Sequence, residues 1–163
     1  KFAFATQIHF VMQRSQQINK FFSDSLIKQK IISDFIFEKE DLFAKLNLTD
    51  EELKIFNKVK SKFYSNSPKP DLVIYLQASP KQLIERVKTR GKNYEEQMSL
   101  DYLQRICEMY ADFFFTYYES PILVINVDNI DFVSNQDDYR KLLSHINREI
   151  VGKEYISLSP SIF

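Results

Sequence analysis

The sequence predicts an α/β fold built on a doubly wound parallel sheet, and three observations carry the prediction. Three short runs, residues 29–36, 72–76 and 122–127, are apolar and β-branched enough to read as strands. Stretches with helical spacing of apolar residues separate them. The central run, Leu72 to Leu76, is set off by Pro70 and has no alternation, the pattern of a strand buried on both faces of a parallel sheet. Strands alternating with helices imply right-handed crossovers. At 163 residues the chain is long enough for one domain with a real core and too short for two, so a single domain over 1–163 is expected.

Taken in order, residues 3–22 place Phe4, Ile8, Val11, Ile18 and Phe22 on one helical stripe. The run QKIISDFI at 29–36 follows as the first strand, ending at a polar turn. Thr49 and Glu52 form a capping box for a helix carrying Leu53, Phe56 and Phe63. SNSPKP, residues 65–70, is a linker into the central strand. Ser79, Pro80 and Gln82 then start a helix that Gly91 can end in the left-handed conformation. Ser99 caps a long helix with Leu103, Ile106, Cys107, Tyr110, Phe114 and Tyr117 as its stripe. Its FFFTYY run is apolar on more than one side, which suits deep burial or a second subunit. After Pro121 comes the strand ILVINV, then a helix capped by Asn135. The tail from Gly152 gives no periodic signal.

Composition excludes several classes of function. Lysine plus arginine, 22, equals aspartate plus glutamate, 22, so no global field points to nucleic acid or an acidic membrane surface. One cysteine, Cys107, excludes an internal disulfide, and its place on an apolar stripe suits a small core residue. No signal peptide and no apolar run of about 18 residues is present, which fits a cytoplasmic protein. No metal-ligand motif is evident. With only Gly91 and Gly152, the sequence contains no Gly-x-x-x-x-Gly-Lys phosphate loop. Because it starts directly in a helical pattern at Lys1, it is expected to be a fragment whose N-terminal strands and phosphate loop lie elsewhere.

Candidate functional residues follow from chemistry and spacing. Arg86 and Arg90 share a helix face, with Lys92 just beyond, and no acid lies one turn away on that face. Spacing alone leaves open a solvated basic face or a clamp for phosphate oxygens, to which guanidinium forks are suited. Gln7 and Arg14 lie two turns apart beside the first stripe. They are either its polar edge or recognition groups for a planar ligand, since an amide offers both donor and acceptor. Asp34 falls at the end of the first expected strand, where α/β enzymes gather ligands, or is a turn residue.

The stretch PDLVIYLQASPKQLIERVKTRGKNYEEQMSLDYL, with Arg86, Arg90, Gly91, Lys92, Glu95, Leu100, Tyr102 and Leu103, resembles the deoxynucleoside kinase family, particularly its bacterial deoxyadenosine and deoxyguanosine kinases. The segment ATQIHFVMQR resembles the same family's base-binding helix, and the likeness covers roughly residues 3–150. It implies a P-loop-kinase-like parallel sheet flanked by helices, with a lid at about 80–98. Arg86, Arg90 and Lys92 would be lid cations over the donor phosphates, with Lys92 standing where a third arginine is usual. Glu95 would hold the sugar 3′-hydroxyl. Gln7 would pair with the base, supported by Arg14, with Phe4 and Phe10 lining the pocket. The loop VDNIDF would wrap the donor adenine, making Asp128, Asn129, Asp131 and Phe132 donor-site candidates, or else an ordinary strand-to-helix turn.

The departure from the family pattern is Ser33-Asp34-Phe35, where an acid, an arginine and a serine are usual. Anchoring on Leu42-Phe43-Ala44 puts Asp34 in the arginine's place and Lys39 in that of an acid that touches the base. The resemblance further implies transfer of the ATP γ-phosphate, with Mg²⁺, to the 5′-hydroxyl of a deoxynucleoside, with a purine slightly favoured, in a homodimer built on helices. A thymidylate-type kinase shares the strand and lid, although Glu95 suits a neutral sugar better than a second phosphate. A non-catalytic nucleotide-binding module, possible in a fusion with a pterin pyrophosphokinase, is the remaining alternative.

Overall fold

The computed structural model describes residues 2–23, 30–64, 69–91 and 98–159. Its elements are α1 (Ala3–Ser23), α2 (Lys39–Asn47), α3 (Asp50–Tyr64), β1 (Val73–Gln77), α4 (Pro80–Arg90), α5 (Leu100–Thr116), β2 (Ile122–Asn126), α6 (Gln136–Ile146) and β3 (Lys153–Ser157). They fall into two compact units, Lys1–Pro68 and Lys69–Phe163.

The first unit is helical. The stripe of α1 buries Val11 against Ala44 of α2 and Phe56 of α3, with Phe4 and Ile8 half-buried beside them. The Thr49–Glu52 box is reciprocal: Thr49 Oγ1 accepts the Glu52 N–H at 3.3 Å and Glu52 Oε2 accepts the Thr49 N–H at 3.0 Å. Helix α2 has no side-chain cap, but Glu40 and Asp41 occupy its first turn, where the positive end of the helix dipole favours acids. Asp41 also accepts from the buried Lys60 of α3 at 2.6 Å, fastening the two helices together.

The strand expected at 29–36 is not formed in residues 30–36, which are irregular. Ile32 is 98% exposed and Ile31 45%, so the apolar run has no sheet to bury it. Asp34 is therefore an exposed bend residue and not the end of a strand.

The second unit holds a parallel sheet in the order β1-β2-β3, with Tyr75 opposite Val124 and Val124 opposite Tyr155. The central strand is β2, buried from Ile122 through Ile125. Leu123, Ile125 and Val127 pack with Ala78, Leu142 and Ile150 into one core. The third strand comes from the tail that carried no periodic signal, and it is fixed by partners rather than pattern. The Lys153 ammonium donates to the Phe114 and Phe115 carbonyls at 2.5 Å each, closing the C-terminal end of α5. Expected burial of β1 on both faces also fails: among the described residues β1 is an edge strand, with Ile74 38% and Leu76 40% exposed.

Caps on the second unit's helices form as the sequence indicates. Ser79 Oγ accepts the Gln82 N–H, Ser99 Oγ accepts the Tyr102 N–H, Asn135 Oδ1 accepts from Asp137 and Asp138, and Gly91 ends α4 at φ 62°. The inner side of β1 sends Tyr75 against α5, where it stacks on Phe114 at 4.5 Å and Tyr110 at 5.7 Å. Burial, with a smaller contribution from Cys107, pushes the Tyr75 phenol from 10.0 up to about 12. A folded-state value above the unfolded one means stability that is intact below pH 10.0 and lost as the pH rises toward about 12. Tyr75→Phe should flatten the alkaline limb of the unfolding curve over that window, and an unchanged limb would remove Tyr75 as its cause.

Candidate functional site

In the first unit the candidate site is built where α1 meets the start of α2. Gln7 lies on the buried face of α1, 6% exposed, and its Oε1 has no hydrogen-bond partner among the described residues. A buried amide oxygen left unpaired costs on the order of 1–3 kcal/mol, so its presence calls for an explanation. Two turns on, Arg14 forms an ion pair with Glu40, whose side chain is 1% exposed. The guanidinium carbon of Arg14 lies 4.8 Å from the Phe35 ring centre and 5.4 Å from that of Phe10. Charge pairing and two aromatic faces together hold this guanidinium in one place.

Local geometry explains why Phe35 is there. Ser33 Oγ donates to the Phe35 carbonyl at 2.9 Å and accepts the Phe35 N–H at 3.2 Å, a tight turn that presents the ring. The Ser33-Asp34-Phe35 departure thus supplies a platform for Arg14. Lys39 sits near Asp34 and Arg14, with its ammonium 5.8 Å from the Phe43 ring. Desolvation first, and then the Arg14 charge, lowers its pKa, while Asp34 partly restores it.

Anchoring the sequence on Leu42 gave Lys39 the place of an acid. In the structure the acid paired with Arg14 is Glu40, the next residue. Glu40 and Phe35 are the residues that sequence reasoning missed. An acid in the first turn of a helix was the available signal for Glu40, whereas nothing in the sequence ties Phe35 to Arg14. Phe4 packs into the helical core, and Phe10 is 39% exposed beside Arg14.

In the second unit the candidate residues gather at the carboxyl end of the sheet, where α/β folds bind nucleotides. Asp128 Oδ1 accepts the Ser79 N–H at 2.6 Å, joining the loop after β2 to the start of α4. From α4, Arg86 Nη2 donates to the Val127 carbonyl at 2.6 Å and the Ile130 carbonyl at 3.3 Å. Asp131 Oδ1 accepts from Val133 at 3.1 Å and Ser134 at 3.0 Å, and the Asp131 N–H donates to the buried Asp138 at 2.9 Å. The Ser134 and Val133 donors hold the Asp131 carboxyl below the ordinary carboxylate range, with a smaller contribution from Arg86.

Phe132 packs on the core, Asn129 is exposed, and Arg90 is exposed at the last turn of α4. Thus Asp128, Asp131 and Arg86 come together around one loop, while Arg90 lies a turn further along the helix. Lys92 and Glu95 lie outside the described residues. Among the described residues no group of three or more His, Cys, Asp or Glu side chains is placed to hold a metal ion, and no helix is long and apolar enough to cross a membrane.

Comparison with known proteins gives the family. The family model for deoxynucleoside kinase matches residues 1–152. The chain is 27% identical over 157 residues to a deoxyguanosine kinase of Bacillus subtilis, covering 93% of this chain and 75% of the relative. It is 28% identical over 164 residues to a deoxyadenosine kinase of Lactobacillus acidophilus, covering 92% and 74%. A deoxyguanosine kinase of Lactobacillus johnsonii is 28% identical over 161 residues, covering 90% and 70%. The chain belongs to the deoxynucleoside kinase family.

Proposed function

We propose that the chain carries the acceptor-base and donor-base elements of a kinase that moves the ATP γ-phosphate to the 5′-hydroxyl of a purine deoxynucleoside. One observation carries the reading: the buried Gln7 carbonyl oxygen has no partner among the described residues, and it lies on the same helix as an arginine locked by Glu40. An acceptor and a fixed cation suit the edge of a base, and leaving the Gln7 oxygen unfilled is costly only until a ligand arrives. Relatives named deoxyguanosine and deoxyadenosine kinase support a purine.

Roles follow for each residue. Gln7 reads the base edge, Arg14 supports it, and Phe10 lines the pocket. The Lys39 ammonium adds a second donor, with Asp34 favouring its charged form against desolvation and Arg14. On the donor side, the loop from Asp128 to Phe132 receives the adenine through backbone groups. Arg90 and Lys92 neutralise phosphate charge, and Glu95 takes the 3′-hydroxyl. Phosphoryl transfer has a loose transition state, so positioning and charge neutralisation do most of the catalytic work. Mg²⁺ accompanies ATP in such chemistry, but the described side chains do not form a ligand set for it, and no step is assigned to it.

Both units serve one nucleoside kinase domain in this reading, in a cytoplasmic nucleotide-salvage enzyme. Phe115 and Tyr118, 77% and 86% exposed at the end of α5, support homodimerisation through helices. A monomer in sedimentation equilibrium would reject that part. The function is tested by phosphoryl transfer by this protein, offered deoxyadenosine, deoxyguanosine, deoxycytidine and thymidine with ATP. Faster turnover of the two purines is expected. Nucleotide binding with transfer to none of the four would instead favour a non-catalytic module.

A further inference from the structure

From α4, the Arg86 guanidinium reaches the loop that follows β2. Helical side chains lean toward the N-terminus of their helix, so Arg86 reaches back along α4 to the end capped by Ser79. There one nitrogen, Nη2, serves two carbonyls, Val127 and Ile130, which bracket Asp128 and Asn129. The same stretch is held a second time, by the Asp128 carboxylate on the Ser79 amide. Asp131 then fixes the following turn through its own carboxylate and its bond to Asp138. The loop is therefore clamped from α4 at two points and from α6 at a third. Arg86 is one of the α4 clamps, with the Asp131 charge nearby.

We infer that Arg86 is a positioning residue: it holds the Val127–Asp131 loop in the shape that receives the donor base, and its guanidinium is committed to loop carbonyls instead of the triphosphate. The inference rests on the reading of this loop as the donor-base site. Its consequence is a division of labour along α4. Arg86 acts on the base through the loop, and phosphate charge falls to cations further on. Because Arg86 and Arg90 lie one turn apart on the same helix, loop order and the placing of Arg90 are mechanically linked.

Two probes separate a loop clamp from a phosphate ligand: ATP, which has a base, and inorganic tripolyphosphate, which has none. Titration calorimetry on the full chain should show Arg86→Ala weakening ATP by about tenfold, as expected for loss of a charge-assisted hydrogen bond. Tripolyphosphate affinity should stay within about twofold, since no phosphate contact is lost. Hydrogen exchange at the amides of residues 128–134 should accelerate in the same variant. Arg86→Lys, which retains the charge and a donor on a shorter reach, should restore loop protection and ATP affinity to the same degree.

A parallel loss of ATP and tripolyphosphate affinity in Arg86→Ala overturns the inference, as does ATP affinity restored by lysine while the loop stays unprotected. Should the unmodified chain bind neither probe, the donor-site reading fails. Exchange at residues 128–134 then still decides the clamp: unchanged rates in Arg86→Ala refute it.

Discussion

Arg14→Ala is expected to lower the unfolding free energy by about 3–5 kcal/mol, the range for removing one partner of a buried ion pair. The asymmetry of the pair is what makes the effect large. The Arg14 side chain is 20% exposed, but that of Glu40 is 1% exposed, so truncating Arg14 strands a carboxylate out of reach of water. Two aromatic contacts, to Phe10 and Phe35, go with it. Arg14→Ala combined with Glu40→Ala should cost less than Arg14→Ala alone, because the stranded charge is removed. Urea unfolding followed by circular dichroism measures both. A single-variant loss below about 1 kcal/mol would place the pair in the range of exposed salt bridges.

Phe56→Ala is the second large effect, at about 3–5 kcal/mol. Phe56 is fully buried and touches Val11 of α1 and Ala44 of α2, so its ring is where three helices meet. Deleting it removes transfer free energy and leaves a void that small neighbours cannot fill. Phe56→Leu, which keeps most of the volume, should lose less than about 2 kcal/mol. Equal losses for alanine and leucine would mean that the ring sits in no tight packing.

Legibility in the sequence depended on whether a feature was local. Caps at Thr49, Ser79, Ser99 and Asn135 and the left-handed stop at Gly91 each require a few neighbouring residues, and all form. The runs at β1 and β2 were legible from their β-branched apolar content. Residues 30–36 have a similar content but pair with nothing in the described chain, because apolar composition says that burial is wanted without saying where. Strand β3 is the converse. Its Lys-Glu-Tyr-Ile-Ser content is weak, and pairing with β2 plus the Lys153 bonds to α5 fix it. Partners set by tertiary contact were also beyond reach: Arg14 with Glu40, Phe35 beneath Arg14, and Arg86 with carbonyls far along the chain. Gln7 was readable as a candidate, but its unpaired buried oxygen emerges only in three dimensions.

What fills the Gln7 oxygen, unpaired among the described residues, decides the role of α1. Titrating the full chain and its Gln7→Ala variant with deoxyguanosine, deoxyadenosine, deoxycytidine and thymidine tests it directly. Purine deoxynucleosides should bind the unmodified chain more tightly than the pyrimidines. Gln7→Ala should weaken the purines by about tenfold or more while leaving its melting temperature nearly unchanged or raised, since a buried unpaired polar atom has been removed. Equal affinity for all four nucleosides, or a Gln7→Ala variant that binds purines as before, would contradict the account and return α1 to a packing role.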